Sequence, residues 1–191
     1  MESVAVFCGS RLGTNPLFEK TAIALGTLVA KAGLKLVYGG GKVGLMGAVA
    51  DAALSAGGEV IGVIPQALMD KEVGHKGLSE LHVVRDMHER KAMMAQLADG
   101  FISLPGGAGT LEEFAEVWTW AMLGYHHKPI GLLNLDGFYT PLLTQAERFV
   151  GEGFLDERHQ QMLIVETDPA KMLARFTNYQ APLNKWGAKA S

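Results

Sequence analysis

The residues best suited to chemistry lie in three short segments, each directly after an apolar run. Two of them are rich in glycine, with the sequences GGGKVGLMG at 39–47 and PGGAGT at 105–110, and the third is Cys8–Ser10. A glycine loop that leads into a helix lets backbone N–H groups approach an anion, and the helix dipole favours negative charge there. Glycines also serve tight turns and close packing, but two such runs in one chain favour a ligand that carries phosphate.

The first glycine run narrows the kind of phosphate ligand. Gly39–Gly44 matches the G-x-G-x-x-G pattern of dinucleotide-binding proteins, which alone is a weak signal. The run follows the second predicted strand rather than the first, and the acidic residue further on, Glu59, begins a strand instead of ending one. Neither run contains the Gly-Lys-Ser/Thr sequence of a P-loop. These features predict a mononucleotide or sugar phosphate rather than NAD.

Charged side chains open the helix that is predicted after the fourth strand, where 86–91 has the sequence DMHERK. Arg90 can bind a phosphate or carboxylate through two parallel hydrogen bonds, and Lys91 adds a point charge. A solvated helix start explains the same residues equally well, because an acidic residue such as Glu89 is favourable near a helix N-terminus. Both interpretations stay open on these residues alone.

The helix predicted after the second glycine run opens with Thr110-Leu111-Glu112-Glu113, which has the spacing of a capping box. In that interpretation, Glu113 only returns a hydrogen bond to the Thr110 backbone. A carboxylate beside an anion cradle can also stabilise a cationic sugar or activate water, as carboxylates do in glycoside cleavage. A helix cap and a catalytic group therefore remain alternatives for Glu113.

Metal sites and nucleophilic cysteines find little support. The six histidines show no spacing that is typical of a metal site, and the single cysteine, Cys8, has no histidine that can be assigned as its partner. The sequence therefore predicts no bound metal, and it favours a partly buried thiol over a nucleophile at Cys8.

Short β-branched runs alternate with helical patterns along most of the chain, which predicts parallel strands with helices on both faces. A closed eight-unit barrel takes about 250 residues, and this chain has 191, so we expect an open, doubly wound, Rossmann-like α/β sheet. Ligands bind at the carboxyl ends of the strands in such sheets. The predicted strands are 4–7, 34–38, 60–64, 81–84, 101–104, 130–135 and 163–165; the predicted helices are 16–32, 45–56, 87–98, 110–123, 139–152 and one from 169, with a surface loop at 65–79.

Composition limits the class of protein. Glycine supplies 24 residues against 7 prolines, and 48% of the chain is apolar, so the chain can form a core and is not a low-complexity polymer. A net charge of −3 gives no basic excess for nucleic-acid binding. No stretch approaches the roughly 20 apolar residues of a membrane span, and the start of the chain lacks the charged region of a signal peptide. We expect one nucleotide-binding domain over 1–191, with a flexible tail at 179–191, in the cytoplasm and without nucleic-acid or membrane partners.

The glycine-rich segments also resemble a known family. PGGAGTLEE at 105–113 matches the PGGxGTxxE signature of the Lonely Guy-type phosphoribohydrolases, and GGGKVGLMG at 39–47 resembles their second glycine motif. The Cys8–Ser10 opening, DMHERK at 86–91 and WAMLGYHHKPIGLLN at 120–134 are similar as well. The resemblance extends from about residue 3 to about residue 150.

The resemblance implies cleavage of the N-glycosidic bond of cytokinin riboside 5′-monophosphates, and of AMP, to free base and ribose 5-phosphate. It implies a homodimer and no cofactor; relatives were once labelled lysine decarboxylases, but no residues here argue for a pyridoxal phosphate site. It places the catalytic residues at Arg90 and Glu113, and Ala108 stands where the family usually has an aromatic residue. The substrate contacts fall on Glu72, Lys91, Gly107, Ala108, Gly109, Thr110, Leu111, Glu112, Glu113 and Thr119, to which the anion-cradle argument adds Ser10 and Gly106.

Two other classes of protein fit the same residues. A carrier of a nucleotide cofactor, such as a molybdenum-cofactor carrier, would bind phosphate in the same cradles without turnover. A general purine or pyrimidine monophosphate nucleosidase would cleave its substrate without preferring a prenylated base.

Overall fold

The computed structural model describes residues 1–71 and 74–182. Within these ranges the strands are β1 (Ser3–Phe7), β2 (Lys35–Tyr38), β3 (Val60–Pro65), β4 (Glu80–Val84), β5 (Phe101–Ser103), β6 (Ile130–Leu133) and β7 (Leu163–Glu166). The helices are α1 (Pro16–Lys31), α2 (Gly44–Ser55), α3 (Gln66–Met69), α4 (Met87–Leu97), α5 (Ala108–Leu123), α6 (Thr140–Gly151), α7 (Glu157–Gln160) and α8 (Pro169–Thr177). A short 3₁₀ turn, Leu135–Gly137, lies between β6 and α6.

The strands form one parallel sheet in the order β4-β3-β2-β1-β5-β6-β7. From the central strand β1, the chain first builds outward through β2, β3 and β4, and then crosses back to place β5 on the other side of β1. The strand order therefore reverses between β1 and β5. In open α/β sheets, ligands bind outside the carboxyl ends of the strands at such a reversal.

Helices cover both faces of the sheet, which explains why all five residues of β1 are buried. Successive side chains of a strand point to opposite faces. Val4 and Val6 accordingly share a core with α1, α2 and α8, whereas Ala5 and Phe7 share a second core with α4, α5 and α6. The prediction of an open, doubly wound sheet with helices on both faces is confirmed.

Several predicted boundaries differ from those in the structure. α5 begins at Ala108 rather than Thr110, because Gly107 takes the N-cap position. β6 ends at Leu133, before the predicted residue 135, since the chain turns there into a 3₁₀ segment in which Asp136 has a φ of 51°. In both places the backbone changes conformation two residues earlier in the sequence than the apolar pattern indicates.

Two short helices were not predicted. The segment 65–79, which was expected to be a surface loop, contains α3, and α7 precedes β7. Helices of four residues complete barely one turn, so a repeat of apolar residues cannot reveal them. Glu72 and residues 183–191 of the expected tail lie outside the described residues. In the part of the chain that the structure describes, no helix has the length and apolar character needed to cross a membrane.

Candidate active site

A cleft of about 330 Å³ opens at the carboxyl edge of the sheet, where the strand order reverses. Its lining includes the end of β1, the residue that follows β2 and the first turns of α4 and α5. The residues that line it are Val6, Phe7, Cys8, Gly9, Ser10, Gly39, Met46, Leu68, Met87, Arg90, Gly107, Ala108, Gly109, Thr110, Glu112 and Glu113.

The first turn of α4 explains the acidic residues of the segment 86–91. Asp86 is the N-cap residue, and its carboxylate accepts a hydrogen bond from the Glu89 N–H at 2.9 Å. The Glu89 carboxylate in turn accepts from the Arg85 N–H at 2.8 Å. The helix-start interpretation therefore holds for Asp86 and Glu89. It does not hold for Arg90, which lines the cleft.

Arg90 is buried, with 8% of its surface exposed. Its Nε donates to the Val63 carbonyl at 3.1 Å, and its Nη2 donates to the Gly39 carbonyl at 3.3 Å. Its Nη1 lies 3.4 Å from the Glu113 Oε1. An arginine side chain stays protonated in proteins, and a buried charge needs partners. Two main-chain carbonyls and one carboxylate thus hold this guanidinium in a fixed orientation at the cleft.

Glu113 faces Arg90 from the second turn of α5 and is 8% exposed. Of the two alternatives that the sequence left open for Glu113, the capping box is wrong, because Thr110 is already the third residue of the helix. The N-cap residue is Gly107, which has no side chain with which to cap. Thr110 and Glu113 therefore both lie within the helix, and the Glu113 carboxylate lines the cleft instead of capping the helix.

The surroundings of Glu113 change its acidity. Burial raises the pKa of its carboxyl from 4.5 to about 6; the positive charge of Arg90 opposes this shift, and the negative charge of Glu112 adds to it. The side chain is therefore mainly a carboxylate at neutral pH and mainly protonated below pH 6. A general base whose pKa lies this close to neutral pH is well matched to proton transfer.

Cys8 lies at the end of β1 and also lines the cleft. Burial raises the pKa of its thiol above the ordinary value, and the negative charge of Glu113 adds to that effect, while Arg90 opposes it. Because only the thiolate is a good nucleophile, this thiol is suited to packing rather than to covalent chemistry. Cys8 is 7% exposed, so the thiol is more deeply buried than the partly buried thiol that was predicted.

The second glycine run keeps the start of α5 open. A Cβ atom at Gly107 or Gly109 would meet nothing within 4 Å, and neither residue has a positive φ. Neither packing nor backbone conformation therefore requires glycine at these two positions. The first N–H groups of a helix lack partners within the helix, and no side chain caps this helix. The bare backbone is an accessible anion site.

The first glycine run has a different role. Gly40 and Gly44 have φ values of 75° and 62°, which side chains rarely adopt. At the start of α2, the Leu45 N–H donates to the Gly9 carbonyl at 3.0 Å, so the protein's own backbone occupies that donor. Of the five glycines in the run only Gly39 lines the cleft, together with the side chain of Met46. The structure thus does not support the prediction that this run is a second phosphate cradle.

Most of the predicted site residues come together. The cleft is lined by Ser10, Arg90, Gly107, Ala108, Gly109, Thr110, Glu112 and Glu113. Gly106 lines an adjoining cavity, together with Phe18 and Phe138. Sequence reasoning missed the apolar wall formed by Leu68 and Met87. Leu68 belongs to the unpredicted helix α3, and Met87 is the first residue of α4.

Besides Gly106, three of the described residues that were predicted as substrate contacts do not line the cleft. Leu111 is exposed on α5. Lys91 is 7% exposed, and its Nζ contacts the carboxylates of Glu112 and Glu116. Thr119 donates to the Ala115 carbonyl at 2.8 Å and lines a separate groove beside α7. Among the described residues, no group of three or more His, Cys, Asp or Glu side chains could hold a metal ion.

The fold and the site together define a class: a Rossmann-like nucleotide-binding protein with a buried arginine–glutamate pair beside an open helix N-terminus. A family model described as "Possible lysine decarboxylase" matches residues 46–176. The chain is 51% identical over 168 residues to the cytokinin riboside 5′-monophosphate phosphoribohydrolase of Rhodococcoides fascians, which covers 87% of this chain and 85% of that protein. It is also 44% identical over 186 residues to the cytokinin riboside 5′-monophosphate phosphoribohydrolase LOG7 of Arabidopsis thaliana. That match covers 97% of this chain and 86% of LOG7. The chain belongs to the family of the cytokinin riboside 5′-monophosphate phosphoribohydrolases. The resemblance predicted from the sequence motifs is therefore confirmed.

Solved structures of lower identity share the fold. The molybdenum cofactor carrier protein of Chlamydomonas reinhardtii superposes with a TM-score of 0.69 at 23% identity, covering 92% of this chain and 96% of that one. The molybdenum cofactor binding protein of Rippkaea orientalis gives the same TM-score and identity, covering 92% and 95%. These matches show a common α/β architecture.

Proposed function

We propose that this protein is a phosphoribohydrolase that cleaves the N-glycosidic bond of nucleoside 5′-monophosphates, including cytokinin ribotides and AMP. The observation that carries the proposal is the buried pair of Arg90 and Glu113 beside the open N-terminus of α5. The names of relatives at 44–51% identity support the substrate class. The products are the free base and ribose 5-phosphate.

The start of α5 holds the 5′-phosphate. The first backbone N–H groups of the helix point outward, and the helix dipole adds positive potential at the same place. Gly107 and Gly109 leave that backbone bare, so phosphate oxygens can approach it closely. Ser10 lies on the facing loop after β1 and lines the same cleft. In this proposal the sugar lies between the phosphate site and Arg90.

Glu113 acts at the anomeric carbon. Its carboxylate stabilises the positive charge that develops on the sugar as the bond to the base breaks, and it accepts a proton from the attacking water. The water oxygen bonds to the anomeric carbon, and the two protons of the water end on the new hydroxyl and on the released base. Arg90 orients the nucleotide and keeps Glu113 in place. Glu72 remains a predicted substrate contact.

A base-release assay tests the function. The protein is incubated with AMP, isopentenyladenosine monophosphate, CMP and adenosine, and the free base is measured by chromatography. We expect base from the two adenine nucleotides and much less from adenosine, because adenosine lacks the phosphate that α5 binds. Equal release from adenosine and AMP would contradict the phosphate site. Release of base from none of the four would favour a nucleotide-cofactor carrier, and release from CMP at the rate of AMP would favour a general nucleosidase.

Alanine at Gly107 or Gly109 tests the phosphate site itself. An added methyl group meets open space in the protein but occupies the path of the phosphate. Hydrogen bonds to charged groups contribute about 1.5–3 kcal/mol, so we expect the KM for AMP to rise at least about tenfold in either variant. Gly151→Ala is the matched control, since a Cβ there also meets nothing within 4 Å and lies outside the cleft.

Stability separates this result from a folding defect. Replacing glycine by alanine at a compatible backbone conformation stabilises a protein by about 0.4–1 kcal/mol. Thermal unfolding of all three variants should therefore occur at or above the wild-type temperature. An unchanged KM for AMP in both Gly107→Ala and Gly109→Ala would contradict the proposal that the start of α5 binds the phosphate.

The protein acts as a homodimer in the cytoplasm in this proposal. Tyr125 is 75% exposed and Phe154 is 86% exposed. Phe154 lines the groove that also contains Thr119, and a second copy seated on this face would cover the aromatic ring. Light scattering is expected to give twice the chain mass of 20.5 kDa, and a monomer mass would contradict it. Cell fractionation tests the compartment.

A further inference from the structure

Lys91 has unusual surroundings for a residue next to the cleft. Only 7% of its side chain is exposed, yet it is not among the residues that line the cleft. Its Nζ donates to Oε1 of Glu112 and, at 3.1 Å, to Oε1 of Glu116. Burial opposes the positive charge of Lys91, but the two carboxylates outweigh it and raise the pKa above the ordinary value. The side chain is a buried cation held by two carboxylates of α5.

The contacts of Lys91 run parallel to those of its neighbour Arg90. Both residues belong to α4, and both make ionic contacts with α5, Arg90 with Glu113 and Lys91 with Glu112 and Glu116. Glu112 and Glu116 are four residues apart and so lie on the same face of α5. The ammonium therefore joins two successive turns of α5 to α4, immediately beside the place where the catalytic pair meets.

We propose that Lys91 is a positioning residue, which ties α4 to α5 through Glu112 and Glu116 and thereby fixes the Arg90 guanidinium against the Glu113 carboxylate. The inference rests on the proposed function, in which those two groups do the chemistry. It assigns Lys91 a role other than the substrate contact that the family resemblance implies. A phosphate at the Lys91 Nζ would lie against the negative charges of Glu112 and Glu116.

The charges around Glu113 make this role measurable. The groups that face its carboxyl are Arg90 and Lys91 from α4, Glu112 and Glu116 from α5, and the Cys8 thiol from β1. The two cations favour the carboxylate form of Glu113, and the two other carboxylates disfavour it. Removing the charge of Lys91 should therefore raise the pKa of Glu113, whereas removing that of Glu116 should lower it. The Oε2 atom of Glu116 is buried without a hydrogen-bond partner, so water screens the negative charge of Glu116 poorly.

The experiment compares Lys91→Met with Glu116→Gln in the full chain, using AMP as substrate. The acid limb of the pH profile of kcat should move to higher pH in Lys91→Met and to lower pH in Glu116→Gln, each by roughly 0.5–1 pH unit. In Lys91→Met we expect kcat at pH 5 to fall by roughly three- to tenfold, and kcat at pH 7 by less than about twofold, as Glu113 becomes more protonated, while the KM changes by less than about twofold. Lys91→Arg keeps the charge and should return the limb toward its wild-type position. Lys20→Met, an exposed lysine on α1, is the control.

A substrate contact at Lys91 would give a different result. The KM for AMP would rise at least about tenfold in Lys91→Met, and the acid limb would stay where it is in both variants; either observation overturns the proposal. A second readout does not depend on turnover. In protein labelled with ¹³C at the glutamate carboxyl carbons, the NMR titration of Glu113 should shift upward in Lys91→Met and downward in Glu116→Gln. Opposite shifts without base release from AMP would support the role of Lys91 as a positioning residue but contradict the proposed function. The absence of any shift would contradict the role of Lys91 and leave the proposed function unaffected.

Discussion

Glu113→Gln should lower the turnover of AMP at least about 100-fold, which is the lower end of the contribution of acid–base catalysis. Glutamine has nearly the same shape and can still accept a hydrogen bond from Arg90, but it cannot take a proton from water or offset a positive charge on the sugar. The measurement is kcat by chromatography of the released adenine. Glu147→Gln makes the same chemical change on the exposed face of α6 and should leave kcat unchanged.

The pH dependence of the wild-type enzyme follows from the same carboxyl group. Its pKa of about 6 lies above the ordinary value because the side chain is buried. The active form is the carboxylate, so kcat should fall as the pH decreases through about 6 and level off above it. Glu113→Gln should lack this acid limb. A residual activity near that of the wild type, with the limb intact, would remove Glu113 from the mechanism.

Stability should change in the opposite direction from activity. A carboxyl group with a raised pKa in the folded state stabilises the fold fully below its unfolded pKa of 4.5 and loses that contribution as the pH rises through about 6. At pH 8 the ionised Glu113 therefore costs about 2 kcal/mol relative to its neutral form. Glutamine resembles the neutral form, so Glu113→Gln should unfold at a higher temperature than the wild type at pH 8 and at a similar one at pH 4. A general folding defect would lower both.

The sequence was a good guide to the sheet because its signals are local. The strands β1, β3, β5 and β6 are buried on both faces, so each appears as a short apolar run that can be found without knowledge of its neighbours. The edge of the sheet that binds ligands follows from the same alternation of strands and helices, since the carboxyl ends of parallel strands share one edge. Arg90 and Glu113 were identified through the family resemblance, and the structure brings them within 3.4 Å of each other.

Roles that depend on contacts distant in the sequence could not be predicted. The capping-box spacing at Thr110 and Glu113 gave no sign that Gly107 would be the N-cap residue. The side-chain cap forms instead at the start of α4, where Asp86 accepts from the Glu89 N–H and Glu89 accepts from the Arg85 N–H; these acidic residues had two open interpretations in the sequence. Lys91 resembles a phosphate ligand in sequence because nothing in residues 86–91 shows that two carboxylates of another helix surround it.

The two glycine runs illustrate the same limit most clearly. Both have the composition of a phosphate-binding loop, and only the three-dimensional surroundings tell them apart. A Cβ atom at Gly109 meets nothing within 4 Å, whereas one at Gly39 would overlap the Arg90 Nη2 and lie 3.0 Å from the Arg90 Cζ. The first run thus makes space for a catalytic side chain, and the second makes space for a ligand.

Gly39→Ala should consequently lower kcat at least about 100-fold, although residue 39 contributes no side-chain chemistry. The added methyl group and the Arg90 guanidinium cannot occupy the same position, and the guanidinium, at the end of a flexible side chain, is the group that moves. It would lose its hydrogen bond to the Gly39 carbonyl and its position beside Glu113. Because the buried guanidinium would lose these partners, the unfolding temperature should also fall, and kcat is therefore measured at a temperature where the variant remains folded.

A double-variant cycle separates an effect on Arg90 from any other effect of the methyl group. If Gly39 acts through Arg90, then Gly39→Ala combined with Arg90→Ala should be no slower than Arg90→Ala alone, since the group that the methyl displaces is already absent. Gly151→Ala serves again as the control for glycine replacement as such. Additive losses in the double variant would mean that the first glycine run contributes to the site directly, for example by binding the nucleotide. Non-additive losses would instead establish that the glycine motif and the catalytic arginine form one unit, joined across 51 residues of sequence.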